Sequence, residues 1–200
     1  MDETRLVQAA RAGELAAFNQ LVLSYQGMAY NVAYRVMGDP DAAADAAQDA
    51  FIKAYKALDS LRGESFRAWL MRIVTNTCYD QLRAKQRRPA TSLDDLLAET
   101  EDHSWRLAEP GEGPDEHAER EELSRLLQWA IQQLPDDQRA VVVLSDIEGL
   151  SYDEIALATG AQLGTVKSRL SRARAKLRDL LQQQQELLPH RYRLSTEPVH

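Results

Sequence analysis

Apolar residues recur three and four positions apart along almost the whole chain outside residues 89–118, and no run of useful length alternates with the two-residue period of a strand. This predicts an all-α fold. Residues 6–34 read as two helices, with Gly13-Glu14 punctuating the first. The turn Gly38-Asp39-Pro40-Asp41 opens a third, which places Asp41 and Asp45 near its positive end. Ala43, Ala47, Ala50, Ala54 and Leu58 then line one side of it. After the loop Arg62-Gly63-Glu64-Ser65, the residues Phe66, Trp69, Leu70 and Ile73 fall at i, i+3, i+4 and i+7. That helix runs into a basic stretch and is stopped by Pro89. Helical patterning resumes at about residue 119, where Leu123, Leu126, Leu127, Ala130, Ile131 and Leu134 form one apolar stripe. Pro135 ends it, Asp136-Asp137 caps the next helix, and Gly149 ends that one. Ser151-Tyr-Asp-Glu154 is a capping box, its hydroxyl and carboxylate each accepting from an orphan amide. The short helix it opens stops at Gly160, and a basic helix follows after a brief turn.

Residues 89–118 break this pattern. Pro89, Pro110, Gly111, Gly113 and Pro114 stand there among dense acids. Such a composition buries too little apolar surface to offset chain entropy, which predicts a flexible linker. Leu93, Leu96, Leu97 and Trp105 are its apolar residues, available for transient docking on a neighbouring surface. The predicted architecture is therefore two small helical domains, residues 1–88 and 119–183, joined by the acidic linker 89–118 and followed by a tail, 184–200.

Composition narrows the functional classes. With 44% hydrophobic and 28% charged residues, the chain reads as soluble and able to bury a core. Its longest uninterrupted apolar run, residues 140–144, falls far short of the roughly 20 residues of a membrane span. The N-terminus lacks the apolar segment of a secretory signal, so a cytoplasmic location is expected. Cys78 is the only cysteine, which excludes an internal disulfide and predicts a buried small hydrophobe. The four histidines have no zinc-like spacing, so neither a metal nor a cofactor is expected. A phosphate-binding glycine loop and a paired nucleophile and base are also missing, which argues against an enzyme.

The net charge of −7 hides a pattern. Residues 61–90 carry seven basic and two acidic side chains, residues 91–124 carry two and twelve, and residues 160–178 carry six and none. Two basic islands thus flank an acidic stretch. A short capped helix, a glycine-containing turn and a longer basic helix make the helix-turn-helix pattern. At about 100° per residue, Val166, Leu170, Ala173, Leu177 and Leu180 fall within an arc of roughly 80°, the core side of the last helix. The opposite line holds Gly164, Ser168, Ser171 and Ala175, flanked by Lys167 and Arg172. Small residues there let the backbone approach a major-groove floor, where Arg172 can fork onto guanine and Ser168 or Ser171 can reach a base edge. Thr165, Arg169, Arg174, Lys176 and Arg178 suit phosphate oxygens. An ordinary solvated face is the competing reading. The capping box, the turn and the unmixed sign of the charge weigh against it.

The segment LPDDQRAVVVLSDIEGLSYDEIALATGAQLGTVKSRLSRAR (134–174) resembles the promoter-binding C-terminal domain of bacterial sigma factors, in particular the compact extracytoplasmic-function class. DAAADAAQDAFIKAYKAL (41–58) and FRAWLMRIVTNTCYDQLRAKQRR (66–88) resemble that family's other conserved domain. The resemblance implies a protein without chemistry of its own that binds core RNA polymerase, directs it to specific promoters and helps open the −10 element. It implies that Asp45, Gln48, Asp49 and Lys53 dock on the largest polymerase subunits. Arg62, Gly63, Glu64, Ser65 and Asn76 would capture the −10 element as a single strand, with Arg72, Arg83, Lys85, Arg87 and Arg88 on its backbone. Phe66 and Trp69 are assigned to the core rather than to base stacking. Lys167, Ser168, Ser171 and Arg172 would read the −35 element. Gln162 stands where a better helix cap is common, which loosens the preceding turn. An anti-sigma factor is an implied partner, besides core polymerase and promoter DNA. The rival is a conventional helix-turn-helix regulator whose first domain senses a signal or dimerises. It would bind a palindrome tightly by itself.

Overall fold

The computed structural model describes residues 2–63, 65–87 and 114–184. Helix α1 (Glu3–Arg11) begins where the Asp2 carboxylate accepts from the Thr4 amide at 3.1 Å. Helix α2 (Leu15–Met37) closes on Gly38, whose φ of 77° is the left-handed turn that favours glycine. Asp39 then caps α3 (Pro40–Ala57) by accepting from the Ala42 amide at 2.7 Å, with Pro40 in the first turn. A 3₁₀ turn, Leu58–Ser60, and a short loop lead to α4 (Phe66–Arg87).

The predicted alanine stripe is the floor of this first bundle. Ala43, Ala47, Ala50, Ala54 and Leu58 are all buried, which lets α3 approach both α2 and α4. Leu21, Val32, Val36, Phe66, Leu70, Met71 and Val74 fill the space between the helices. Each such side chain contributes roughly 1.5–3 kcal/mol by leaving water. Phe66 and Trp69 are buried in mutual contact at 5.7 Å between ring centroids, so both serve packing, as expected.

The second half holds α5 (Pro114–Gln132), α6 (Asp136–Val142), a π turn over Val143–Ile147, α7 (Tyr152–Thr159) and α8 (Leu163–Gln183). Three details differ from the sequence reading. First, α5 starts at Pro114 rather than near residue 119, because proline is well suited to a first helical turn. Second, Asp136 and Asp137 lie inside the first turn of α6, where their charge favours the helix, while Pro135 takes the cap position without a side-chain bond. Third, a π turn interrupts the chain after α6, which the apolar spacing does not predict. The capping box forms as predicted: the Ser151 Oγ accepts from the Glu154 amide, and the Glu154 carboxylate accepts from the Ser151 amide at 2.9 Å. Glu64, Arg88, most of the predicted linker and residues 185–200 of the predicted tail lie outside the described residues.

The buried apolar residues of both halves join into one cluster. Helix α7 packs along α4, and α5 and α6 meet the C-terminal end of α2. Arg139 anchors this junction. Its buried guanidinium donates to the carbonyls of Ile131, Gln132 and Leu134 in its own half and to the Val36 carbonyl across the divide.

Candidate nucleic-acid and protein-docking surfaces

Helix α8 faces as its sequence predicts. Val166, Leu170 and Ala173 are buried and Leu177 and Leu180 half-buried, while Gly164, Lys167, Ser168, Ser171 and Arg172 are exposed. The exposed side borders a shallow groove of about 480 Å³ lined by Tyr152, Lys167, Ser171, Arg174, Ala175 and Arg178. Tyr152, the first residue of α7, was not singled out from the sequence. It shares this groove only because the turn folds α7 back beside α8. Gln162 makes no side-chain cap, in agreement with its poor capping chemistry.

The six α8 cations are not equivalent. Arg174 forks onto Asp146, with Nε to Oδ2 at 2.9 Å and Nη2 to Oδ1 at 2.6 Å. Those bonds hold the Asp146 carboxyl below its usual range, against the opposing effect of partial burial. Arg169 pairs with Asp137 at 2.9 Å, and Arg178 leans on Asp179 at 3.5 Å. Arg172 folds back along its own helix, with Nε donating to the Ser168 carbonyl at 3.2 Å. The two side chains nearest the expected base edges therefore lie together.

On α4, Arg72, Asn76, Arg83 and Arg87 are all exposed. At about 100° per residue they fall within a sector of roughly 60°, and at about 1.5 Å per residue they extend over some 22 Å. This is a continuous stripe that ends in cations. Lys85 lies on the opposite side of the helix, away from it. Arg83 leans on Asp80 at 3.8 Å, and Arg87 Nε donates to the Arg83 carbonyl at 3.1 Å. Arg62, Gly63 and Ser65 of the preceding loop are exposed, and the Ser65 Oγ accepts from the Ala68 amide. Cys78 is fully buried on the inner side, and burial pushes its thiol up to about 12, so it stays an unreactive packing group.

On α3, Asp45, Gln48, Asp49 and Lys53 form an exposed ridge. Its far end is tied to α4, with Lys53 Nζ donating to Thr77 Oγ1 at 3.1 Å and Gln81 donating to Asp49 at 3.3 Å. Beside the ridge runs an apolar groove of about 520 Å³ between α2 and α3, lined by Phe18, Val22, Tyr30, Phe51, Ile52 and Tyr55. Leu15, Ile52 and Tyr55 remain exposed there, an arrangement typical of interaction surfaces. The sequence marked only the polar half of this face. Among the described residues, no three His, Cys, Asp or Glu side chains gather as a metal site requires, and no helix is long and apolar enough to cross a membrane.

Two family profiles match the chain: Sigma-70 region 2 over residues 21–88 and Sigma-70 region 4 over residues 124–177. The chain is 40% identical to the RNA polymerase sigma-H factor of Pseudomonas aeruginosa, an alignment that covers 90% of this chain and 94% of that one. It is also 40% identical to the ECF RNA polymerase sigma-E factor of Escherichia coli, over 88% and 93% of the two chains. Among solved structures, it is similar to CnrH in complex with the cytosolic domain of CnrY, with a TM-score of 0.65 and 33% identity over 90% of this chain and 97% of that one. It is similar also to the sigma factor RpoE in complex with the anti-sigma factor NepR from Bartonella quintana, with a TM-score of 0.63 and 30% identity over 82% and 96%.

Proposed function

Because the chain belongs to the sigma-70 family, in its extracytoplasmic-function class, we propose that it binds core RNA polymerase and directs transcription initiation at a dedicated set of promoters. Polymerase makes the RNA. This chain supplies recognition, works in the cytoplasm and has no catalytic step of its own. One observation carries the reading: two separate exposed cationic surfaces, on α4 and on α8, share a chain with an acidic ridge beside an apolar groove.

In this reading the α3 ridge of Asp45, Gln48, Asp49 and Lys53 docks on the polymerase, and the neighbouring groove adds the apolar area that a polar ridge lacks. The α4 stripe holds the −10 strand. Asn76 offers an amide to an unstacked base, while Arg72, Arg83 and Arg87 follow the backbone. The loop at Arg62, Gly63 and Ser65, with Glu64, borders the same strand. Helix α8 enters the major groove of the −35 element, where Lys167, Ser168, Ser171 and Arg172 read bases and Thr165 and Lys176 meet phosphates. Arg169 and Arg174 reach phosphates from positions fixed by Asp137 and Asp146. With residues 89–118 as the linker the sequence predicts, the second contact forms at high effective concentration once the first is made. One solved relative is held by an anti-sigma factor, and we extend that mode of control to this chain. Similarity along both halves favours this reading over a conventional regulator with an unrelated sensing domain.

The test is run-off transcription with core polymerase on a set of candidate promoters. The wild type is expected to produce promoter-dependent transcripts only when core enzyme is present. Arg172→Ala should lower upstream-element selection by about 1–3 kcal/mol, roughly 5- to 150-fold. Asn76→Ala should retain polymerase binding and lose duplex opening. Tight binding to a palindrome by the chain alone, with no transcript when core is added, would refute the proposal.

A further inference from the structure

Helix α1 precedes residue 21, where the match to Sigma-70 region 2 begins. It buries one of its nine residues, Ala10, and leaves Leu6, Val7 and Ala9 half-buried against the first bundle. Its polar contacts converge on another place. Both ends of α1 are tied to the residues that flank the loop starting at Arg62.

At the C-terminal end of α1, the Arg11 guanidinium reaches the 3₁₀ turn and the residue after it. Its Nη1 donates to the Leu61 carbonyl and its Nη2 to the Asp59 carbonyl, both at 3.5 Å, while Nε lies 3.8 Å from Asp59 Oδ1. The Asp59 carboxylate is exposed, so the ion pair adds little and the two carbonyls fix the geometry. The Leu61 carbonyl belongs to the same planar peptide unit as the Arg62 amide. Holding it sets the direction in which the loop departs, and Gly63 then turns the chain with a φ of 70°. At the N-terminal end, Glu3 accepts from the Tyr25 hydroxyl. The Tyr25 ring lies against Phe66, with centroids 5.5 Å apart and planes at 55°. Phe66 is buried and directly follows Ser65, whose hydroxyl and carbonyl accept from the Ala68 and Trp69 amides. Glu3 and Arg11 are about 12 Å apart along the helix axis, so one short helix holds both the entry and the exit of the loop.

From this geometry we infer that Arg11 and the Glu3–Tyr25 pair are positioning residues for capture of the −10 strand. They act through Leu61 and Phe66 and hold Arg62 and Gly63 in the arrangement that meets DNA. The inference rests on the sigma-factor reading and adds to it residues that touch no DNA. A loop fixed before the strand arrives loses less conformational freedom on binding. The Arg11 bonds are long and individually weak, so their removal should cost severalfold rather than abolish capture. Arg11 is exposed, and its truncation leaves no cavity, so the bundle should survive the change.

Trypsin cuts after arginine, and Arg62 lies in the exposed loop. Cleavage of the Arg62–Gly63 bond in the free full chain therefore reads the freedom of the loop directly. Arg11→Ala, and Tyr25→Phe, which keeps the ring on Phe66, should each speed that cut by roughly threefold to tenfold, with the cuts after Arg83 and Arg87 unchanged. Unchanged far-ultraviolet circular dichroism shows both variants folded. A second arm uses the chain bound to core polymerase and a fluorescein-labelled single strand carrying the −10 sequence of a promoter that the wild type transcribes. Arg11→Ala should weaken strand binding severalfold, while affinity for polymerase and for −35 duplex stays at the wild-type value. Arg11→Lys keeps the charge but not the planar fork, and should recover only part of the loss. In an Arg62→Ala background, Arg11→Ala should cost less than it does alone, because its effect passes through the loop. The inference is overturned if neither variant speeds the Arg62–Gly63 cut, or if Arg11→Ala weakens −35 duplex binding equally. Full restoration by Arg11→Lys, or losses at Arg11 and Arg62 that simply multiply, would overturn it as well. Failure of the chain to associate with polymerase overturns the sigma-factor reading, while the trypsin comparison still decides whether α1 braces the loop.

Discussion

Replacing Arg139 by methionine tests the junction at its most connected side chain. Methionine keeps the length and most of the apolar stem, so the loss reports hydrogen bonds rather than a cavity. Arg139 is 8% exposed, and its guanidinium donates to four carbonyls: Ile131 at 3.2 Å, Val36 at 2.7 Å, Gln132 at 2.8 Å and Leu134 at 3.0 Å. A bond from a charged donor contributes about 1.5–3 kcal/mol net, yet four bonds from one planar group are not additive. Carbonyls near the chain surface also regain water in the variant. The expected loss is therefore about 3–5 kcal/mol, the range for breaking a buried charged network. For a unit of this size each 1 kcal/mol shifts the midpoint by about 4–8 °C, so Arg139→Met should lower the second domain's Tm by more than about 10 °C. Arg139→Lys keeps the charge, but its compact ammonium cannot span four acceptors, and it should recover less than half of the loss. Urea unfolding followed by far-ultraviolet circular dichroism measures both variants. A loss below about 1 kcal/mol for methionine, or full recovery by lysine, would refute the role assigned to the fork.

Two further outcomes follow from local geometry. The Asp146 carboxyl is held low by the Arg174 fork, so its stabilising effect is fully present above the ordinary carboxylate pKa of about 3.9 and is lost as pH falls through the lower folded value. Asp146→Asn should therefore flatten the acid limb of a stability–pH curve below about pH 4, and an unchanged limb would exclude the pair as its source. Ala50 is fully buried where α3 meets its neighbours. Ala50→Leu should destabilise the first domain by about 1–3 kcal/mol in a thermal melt through overpacking, and a neutral result would show slack in the alanine floor.

Much of the first domain was legible because its information is periodic. The alanines of α3 and the residues Phe66, Trp69 and Leu70 of α4 sit on the faces that their spacing dictates, since a straight helix converts register directly into direction. The capping box at Ser151 and the sector of Val166, Leu170 and Ala173 were legible for the same reason. The junction between the halves was not. Its acceptors are carbonyls at Tyr34, Arg35 and Val36, and a carbonyl is the same whatever side chain the residue carries. Gln128 and Gln132 stand beside an apolar stripe and look like ordinary surface amides until a second helix end is brought against them. The apolar groove over Phe51, Ile52 and Tyr55 escaped for a related reason: it exists only where α2 and α3 run side by side.

Charge was legible in position but not in strength. Counting residues gives the last helix six cations and no acid between positions 160 and 178. The fold returns two acids to it, Asp137 from the start of α6 and Asp146 from the π turn, and the adjacent Asp179 of α8 itself adds a third. Pairs this exposed add little stability, so their consequence is directional. Arg174 is no longer a mobile charge sampling the groove; its planar fork is fixed by two bonds to Asp146 and presents one edge. Lys167 and Lys176 keep the freedom to follow a phosphate. The same helix therefore combines flexible cations, which raise affinity for any duplex, with restrained ones, which define where that duplex must lie.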